Sequence, residues 1–223
     1  MGFYEQLQTD TTAARESLYT IDFIQRGVAG ALSLNDYIAF LTQAYHHVKY
    51  TVPLLMACGG RLDGQHEWLR NAVAEYIEEE LGHQEWILND IAACGGDAEQ
   101  VRNSRPAPAT ELMVSYAYDM INRVNPLGFF GMVQVLEGTS IAIADSAVEA
   151  IRSSLGLPKR AFTYLTSHGA LDVEHVEFFK GLMNRIENET DQAQITHSAG
   201  MFYSLYGDIF RALGHNADIN DAA

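Results

Sequence analysis

Apolar residues recur along most of this chain at intervals of three and four, and nowhere do they alternate convincingly with polar ones at period two. The pattern predicts helices near residues 10–29, 34–57, 66–94, 109–123, 127–152, 158–188 and 192–213. Only five prolines are present, and apart from Pro53, which is expected to kink a helix, they fall between these segments or near their starts. The phrase "ACGG" closes two apolar runs, at 57–60 and 93–96, and both copies are read as helix stops because glycine accepts the left-handed cap conformation. Ser33 in "LSLND" and Asn125 in "VNPLGFF" are expected N-caps, the second with Pro126 at the first helical position. The expectation is a packed all-α bundle of about seven helices.

The same periodicity says which polar groups face inward. In the 66–94 segment Leu69, Val73, Tyr76, Ile77, Ile87 and Ile91 share one sector; Glu80 and His83 fall inside it, while Glu78 points away. Their spacing of three suits a Glu-x-x-His half-site on one face of a helix. In 127–152, Glu137 of "QVLEGTS" lies within the stripe of Phe130, Ile141, Ala144 and Val148. A buried lone carboxylate costs several kcal/mol unless it is paired, protonated or metal-bound. In 158–188, "HGALDVEH" places His168, Asp172 and His175 on the stripe of Ala161, Leu165, Phe179, Met183 and Ile186, with Glu174 and Glu177 turned outward. Taken alone, each segment has a structural alternative: a solvated acidic run with a hydrogen-bonded histidine for 66–94, an Arg123 or tyrosine partner for Glu137, and a purely structural polar network for His168, Asp172 and His175.

Length and charge narrow the field. At 223 residues the chain is most simply one domain, 1–223, able to bury roughly 70% of its unfolded surface. A formal net charge of −15 with no visible basic patch argues against nucleic-acid and anionic-membrane partners. No run of about 18 apolar residues stands out as a membrane span. Two cysteines, Cys58 and Cys94, make no disulfide framework, and the opening "MGFYEQLQTD" has no secretory pattern, so a cytoplasmic location is expected.

Taken together, the inward polar residues are three carboxylates and three imidazoles: Glu80, His83, Glu137, His168, Asp172 and His175. One zinc ion would be saturated by three or four of them, so six N/O donors fit two first-row metals better. Two iron ions are the expected cofactor, with manganese or a mixed pair left open.

With this donor set the chain resembles the haem-oxygenase-like di-iron oxidases and oxygenases, which share an all-helical fold with thiaminase II and pyrroloquinoline-quinone synthase. The resemblance runs over nearly the whole chain in helix order, and "HGALDVEH" is its most specific part. It implies a haem-oxygenase-like bundle in which His168, Asp172, His175, Glu137, Glu80 and His83 are metal ligands. Several members carry the early glutamate seven residues before the histidine. Here that position is Tyr76, a candidate catalytic phenol or hydrogen-bond donor, and Glu80 must replace the glutamate.

The resemblance further implies O2 activation for oxidation of a small organic substrate of fatty-acid or amino-acid type. Arg123 is the candidate for a substrate carboxylate, and the aromatics of "ELMVSYAYDM" and "PLGFFGM" for a substrate channel. A small molecule and O2 are the expected partners, with a homodimer as a further option. A thiaminase II-like hydrolase and a non-catalytic helical binding protein stay open as alternatives, although no cysteine lies near Glu137. His46 and His47 lie off the stripe of Leu41, Val48 and Val52, which disfavours a haem ligand, yet either could still approach the site from a helix buried on several sides.

Overall fold

The computed structural model describes the backbone of residues 2–220, and the side chains of that range other than those at 141, 145, 168–175 and 215–220. Among the described residues there is no strand, and twelve α-helices replace the seven expected. The long apolar runs are cut where the backbone is locally redirected. The first becomes α1 (Phe3–Asp10), α2 (Thr12–Tyr19) and α3 (Asp22–Val28). The second becomes α4 (Leu34–Val48) and α5 (Thr51–Arg61). Pro53 falls in the first turn of α5, where its missing N–H is not needed, so it opens a helix instead of kinking one. The first "ACGG" lies inside α5: a Cβ on Gly59 would stand 3.1 Å from Val73 Cγ1, so this glycine serves close packing and not a stop.

After a 3-10 turn at Gly64–His66 come α6 (Glu67–Glu80) and α7 (His83–Ala93), which split the expected 66–94 helix. Leu81 is extended and Gly82 is left-handed at φ 92°, a conformation that costs glycine little. The second "ACGG" does end a helix, with Gly95 at φ 84°. Next are α8 (Ala98–Arg102), which the periodicity missed, and α9 (Pro108–Asp119), continued by a π turn at Met120–Val124. A 3-10 turn at Pro126–Gly128, capped by Asn125, leads into α10 (Phe129–Leu155). The chain closes with a 3-10 turn at Lys159–Ala161, then α11 (Thr163–Met183) and α12 (Glu189–Asn220). Ser33 caps α4 as expected, accepting from the Asp36 amide at 3.1 Å.

α10 is the central element, packed by α11, α12 and α3, while α4 lies on α7, α5 on α6 and α9 on α12. A Cβ on Gly131 would come 2.5 Å from Ala199 N and 2.8 Å from Ile195 O, so the backbones of α10 and α12 touch where no side chain intervenes. Tyr37, Leu41, Leu69, Phe130 and Phe202 are fully buried around this centre, each large side chain worth roughly 1.5–3 kcal/mol of transfer free energy. One expectation changes: Pro126–Ala144 is long and apolar enough to cross a membrane by composition, with a mean hydropathy of 1.5. It is also 65% buried within the protein, which is how the core helix of a bundle reads.

The start of α11 is held from two other helices. The Tyr37 hydroxyl of α4 donates to the Ala161 carbonyl at 2.9 Å, and its ring stacks on Phe162 at 5.0 Å. From α7, the fully buried Asp90 carboxylate accepts from the Thr163 amide at 3.0 Å, the Tyr164 amide at 2.9 Å and the Thr163 hydroxyl. A helix start leaves such amides without intrahelical partners, and here an acid 73 residues earlier supplies the cap. Burial raises the Asp90 pKa, and the hydrogen bonds from Thr163 and Tyr164 oppose that shift. Asp90→Ala removes the acceptor and leaves these donors buried, so urea denaturation is expected to show a loss of about 2–5 kcal/mol.

Candidate functional site

A cavity of about 150 Å³ opens beside α10. Phe129, Met132, Val133, Leu136, Ser140, Ile143, Ala144, Ala147 and Ile151 recur at helical spacing on its wall, so it follows one face of the helix. From Phe129 to Ile151 this face runs roughly 33 Å at 1.5 Å per residue. Phe23, Ile24 and Val28 of α3, Phe40 of α4, Leu55 of α5 and Tyr206 and Phe210 of α12 complete the apolar lining. Among the described residues no Lys or Arg lines it.

The polar part of the wall comes from other helices. Tyr76 and Glu80 of α6, Glu137 of α10 and His47 of α4 all line the cavity. Burial, reinforced by the carboxylates of Glu137, Glu79 and Glu80, holds the Tyr76 phenol well above its ordinary pKa, so it keeps its proton at any physiological pH. Glu80 is the last residue of α6 and His83 the first of α7, and the His83 ring Nδ1 donates to the Glu80 carboxylate at 3.0 Å. Trp86 stacks on the same imidazole, with ring centroids 4.0 Å apart.

These positions correct the metal expectation. The Glu80–His83 spacing was read as one turn of continuous helix, but Leu81 and Gly82 break the helix between them, and the two side chains bond each other. Among the described residues no group of three or more His, Cys, Asp or Glu side chains comes together to hold a metal ion. The expected di-iron centre, with its manganese or mixed variants, is therefore not supplied by Glu80, His83 and Glu137. His168, Asp172 and His175 lie outside the described residues.

Arg123 is exposed on the π turn, where it pairs with Asp119 at 2.5 and 3.0 Å, and it does not line the cavity. Of the aromatics proposed for a channel, Phe129 lines the cavity. Tyr116 packs on Phe202 and Tyr118 on Tyr50. The sequence reading missed Thr139, Ser140, Tyr164 and Tyr206 in the wall. Ser140 lies about 60° from Glu137 in helical phase and counting would have found it, whereas Thr139, about 200° round the helix, falls off the stripe the sequence shows. Both cysteines are free and buried, and burial pushes their thiols up to about 12 for Cys58 and about 11 for Cys94.

His46 and His47 are both buried, contrary to a placement off the apolar stripe, because α4 is covered by α7, α9 and α12 together. His47 lines the cavity and meets Tyr206 edge-on, with centroids 5.9 Å apart. His46 faces the other way. Its Nε2 is 2.9 Å from the Ser104 hydroxyl, which itself donates to the Val101 carbonyl, and its Nδ1 accepts from Lys49 at 3.2 Å. This network fits a neutral imidazole protonated at Nε2. Burial, with the Lys49 charge, lowers the His46 pKa from 6.5 to about 4. A histidine with a depressed folded pKa binds fewer protons folded than unfolded, so its contribution is present above about 6.5 and is lost as the pH falls toward about 4. The loss is expected to reach ~3 kcal/mol. Denaturation midpoints at pH 7 and pH 4.5 check this: His46→Gln is expected to lose less stability across the interval than the parent.

The all-helical arrangement is the haem-oxygenase-like fold. It superposes on a domain of unknown function with that fold from Shewanella denitrificans OS217 at a TM-score of 0.87, with 23% identity over 99% of this chain and 95% of that one. A TenA homologue from Pseudomonas syringae pv. tomato strain DC3000 matches at a TM-score of 0.77, with 15% identity and 96% and 93% coverage. Haem oxygenase-1 from the cyanobacterium Synechocystis sp. PCC6803, in complex with haem, matches at 0.76, with 12% identity and 100% and 96% coverage. None of the curated proteins compared with the chain matches it. The chain belongs to the family described as iron-containing redox enzyme, whose model matches residues 38–207. Iron belongs to that description of the family; the described donors of this chain do not assemble a ligand group for it.

Proposed function

We propose that the protein is an oxidoreductase that uses O2 to oxidise a small organic molecule with a long apolar body, held in the cavity along α10. Membership of the redox-enzyme family over residues 38–207 carries this reading. The cavity supports it: an apolar face several turns long suits an aliphatic or acyl chain better than a compact amino acid. Tyr76, Glu80 and Glu137 form the polar wall against which the reacting part of the chain lies. The Tyr76 phenol, which keeps its proton, serves as a hydrogen-bond donor there.

A hydrolase working through a cysteine nucleophile is disfavoured. Cys58 is fully buried with its thiol donating to the Pro126 carbonyl at 3.3 Å, and neither cysteine lines the cavity. A thiol held up to about 12 supplies almost no thiolate at neutral pH.

The test is O2 uptake by the purified protein, with a reductant, across a panel of aliphatic acids, aldehydes and alcohols and, alongside, aromatic amino acids. Uptake is expected to rise with aliphatic members and to yield an oxidised product by mass spectrometry. Uptake unaffected by every compound would overturn the proposal. In the same assay Tyr76→Phe is expected to lower turnover by about 10²-fold while leaving the melting temperature nearly unchanged, since the ring's packing against Phe178 is kept.

A further inference from the structure

Threonine hydroxyls inside the helices of this protein usually bond back to their own backbone. Thr9, Thr42, Thr166 and Thr196 each donate to the carbonyl four residues earlier, at 2.7–3.0 Å. Thr139, in the middle of α10, does not. The residue is 3% exposed and belongs to the cavity wall, and its hydroxyl oxygen is buried with no hydrogen-bond partner among the described residues. A buried hydroxyl left in this state is destabilising, and a bound partner would recover that cost.

Its position says what kind of partner fits. At about 100° per residue, Thr139 lies roughly 200° round the helix from Glu137, so the two flank the cavity-facing stripe from opposite sides. Met132 and Ile143 share the Thr139 side of the stripe, and among the described residues no Lys or Arg lines the cavity. A charged group there would have no counter-charge beside it, whereas a neutral oxygen needs only the one hydrogen bond.

We infer that the Thr139 hydroxyl is the hydrogen-bonding contact for a neutral oxygen function, an alcohol or a carbonyl, on the aliphatic molecule that occupies the cavity. The inference rests on the cavity being the substrate site. It assigns Thr139 to ligand selection and Glu137 and Tyr76 to the opposite wall.

The test compares 1-decanol with decane as competitors of an apolar fluorescent dye, on the parent protein, Thr139→Val and Thr139→Ser. Thr139→Val is expected to weaken decanol by about three- to tenfold and leave decane unchanged, as for one lost hydrogen bond, with Thr139→Ser restoring decanol. The unliganded Thr139→Val protein is expected to melt at or above the parent, because no internal hydrogen bond is lost. Equal effects on the two competitors, or no effect on either, would overturn the inference while leaving the cavity as the substrate site. Failure of the parent to bind either compound would overturn both.

Discussion

The structure depends on one carboxylate placed far from the helix it terminates. Asp90 on α7 takes the Thr163 and Tyr164 amides and the Thr163 hydroxyl, while Tyr37 on α4 takes up the Ala161 carbonyl just before them. A helix of 21 residues lying against α10 needs its start fixed in both position and direction. Apolar packing alone is non-directional and tolerates sliding, but three donors converging on a buried acid do not. Tyr164, whose amide is one of those donors, lines the cavity, so the clasp and the candidate site share a residue.

From that clasp the cavity follows. α10 is in backbone contact with α12 at Gly131, and the cavity lies along the opposite face of α10, bounded by α3, α4, α5, α6 and the Tyr206 and Phe210 side chains further along α12. The walls are apolar because they are the ordinary inward stripes of a bundle. The polar groups enter at few points, from α4, α6 and the middle of α10. An interior lined by apolar side chains over most of its length makes each of those groups matter, since a polar atom in such a wall is costly unless it meets a partner.

How much of this was legible in the sequence depended on how far a helix ran unbroken. In the 27 residues of α10 the 100° rule carried Glu137 to the cavity wall, whereas Thr139, roughly 200° round the helix, falls off the stripe the sequence shows and enters the wall because the cavity follows a different sector of α10. Across 66–94 the single helix is cut at Gly82, whose left-handed backbone divides it, yet His83, Ile87 and Ile91 are buried as their stripe has them, with His83 bonded to Glu80 and stacked by Trp86. The all-helical class survived every such break, because cutting a helix does not change the period on either side of it. His46 and His47 lie off the one apolar stripe of α4 yet are buried, because α4 is covered on several sides, and His47 reaches the cavity by the route left open for it. The Asp90 clasp had no local signature at all, since its partners are more than 70 residues away. The six-donor metal centre was assembled from stripes taken one helix at a time, and stripes cannot show whether the side chains on them meet. Arg123, chosen for its place beside a cap, belongs to an exposed i,i+4 pair with Asp119.

The central claim is that the face of α10 from Phe129 to Ile151 is where an aliphatic substrate lies. Methyl-resolved NMR of the protein labelled at isoleucine and methionine, titrated with 1-decanol, tests it most directly. The account predicts saturable shifts at Met132, Ile143 and Ile151, with contacts from the ligand chain to those methyls, while the buried core methyl of Ile195 stays in place. Shifts confined to exposed residues such as Met56, or none at all at saturating ligand, would contradict it.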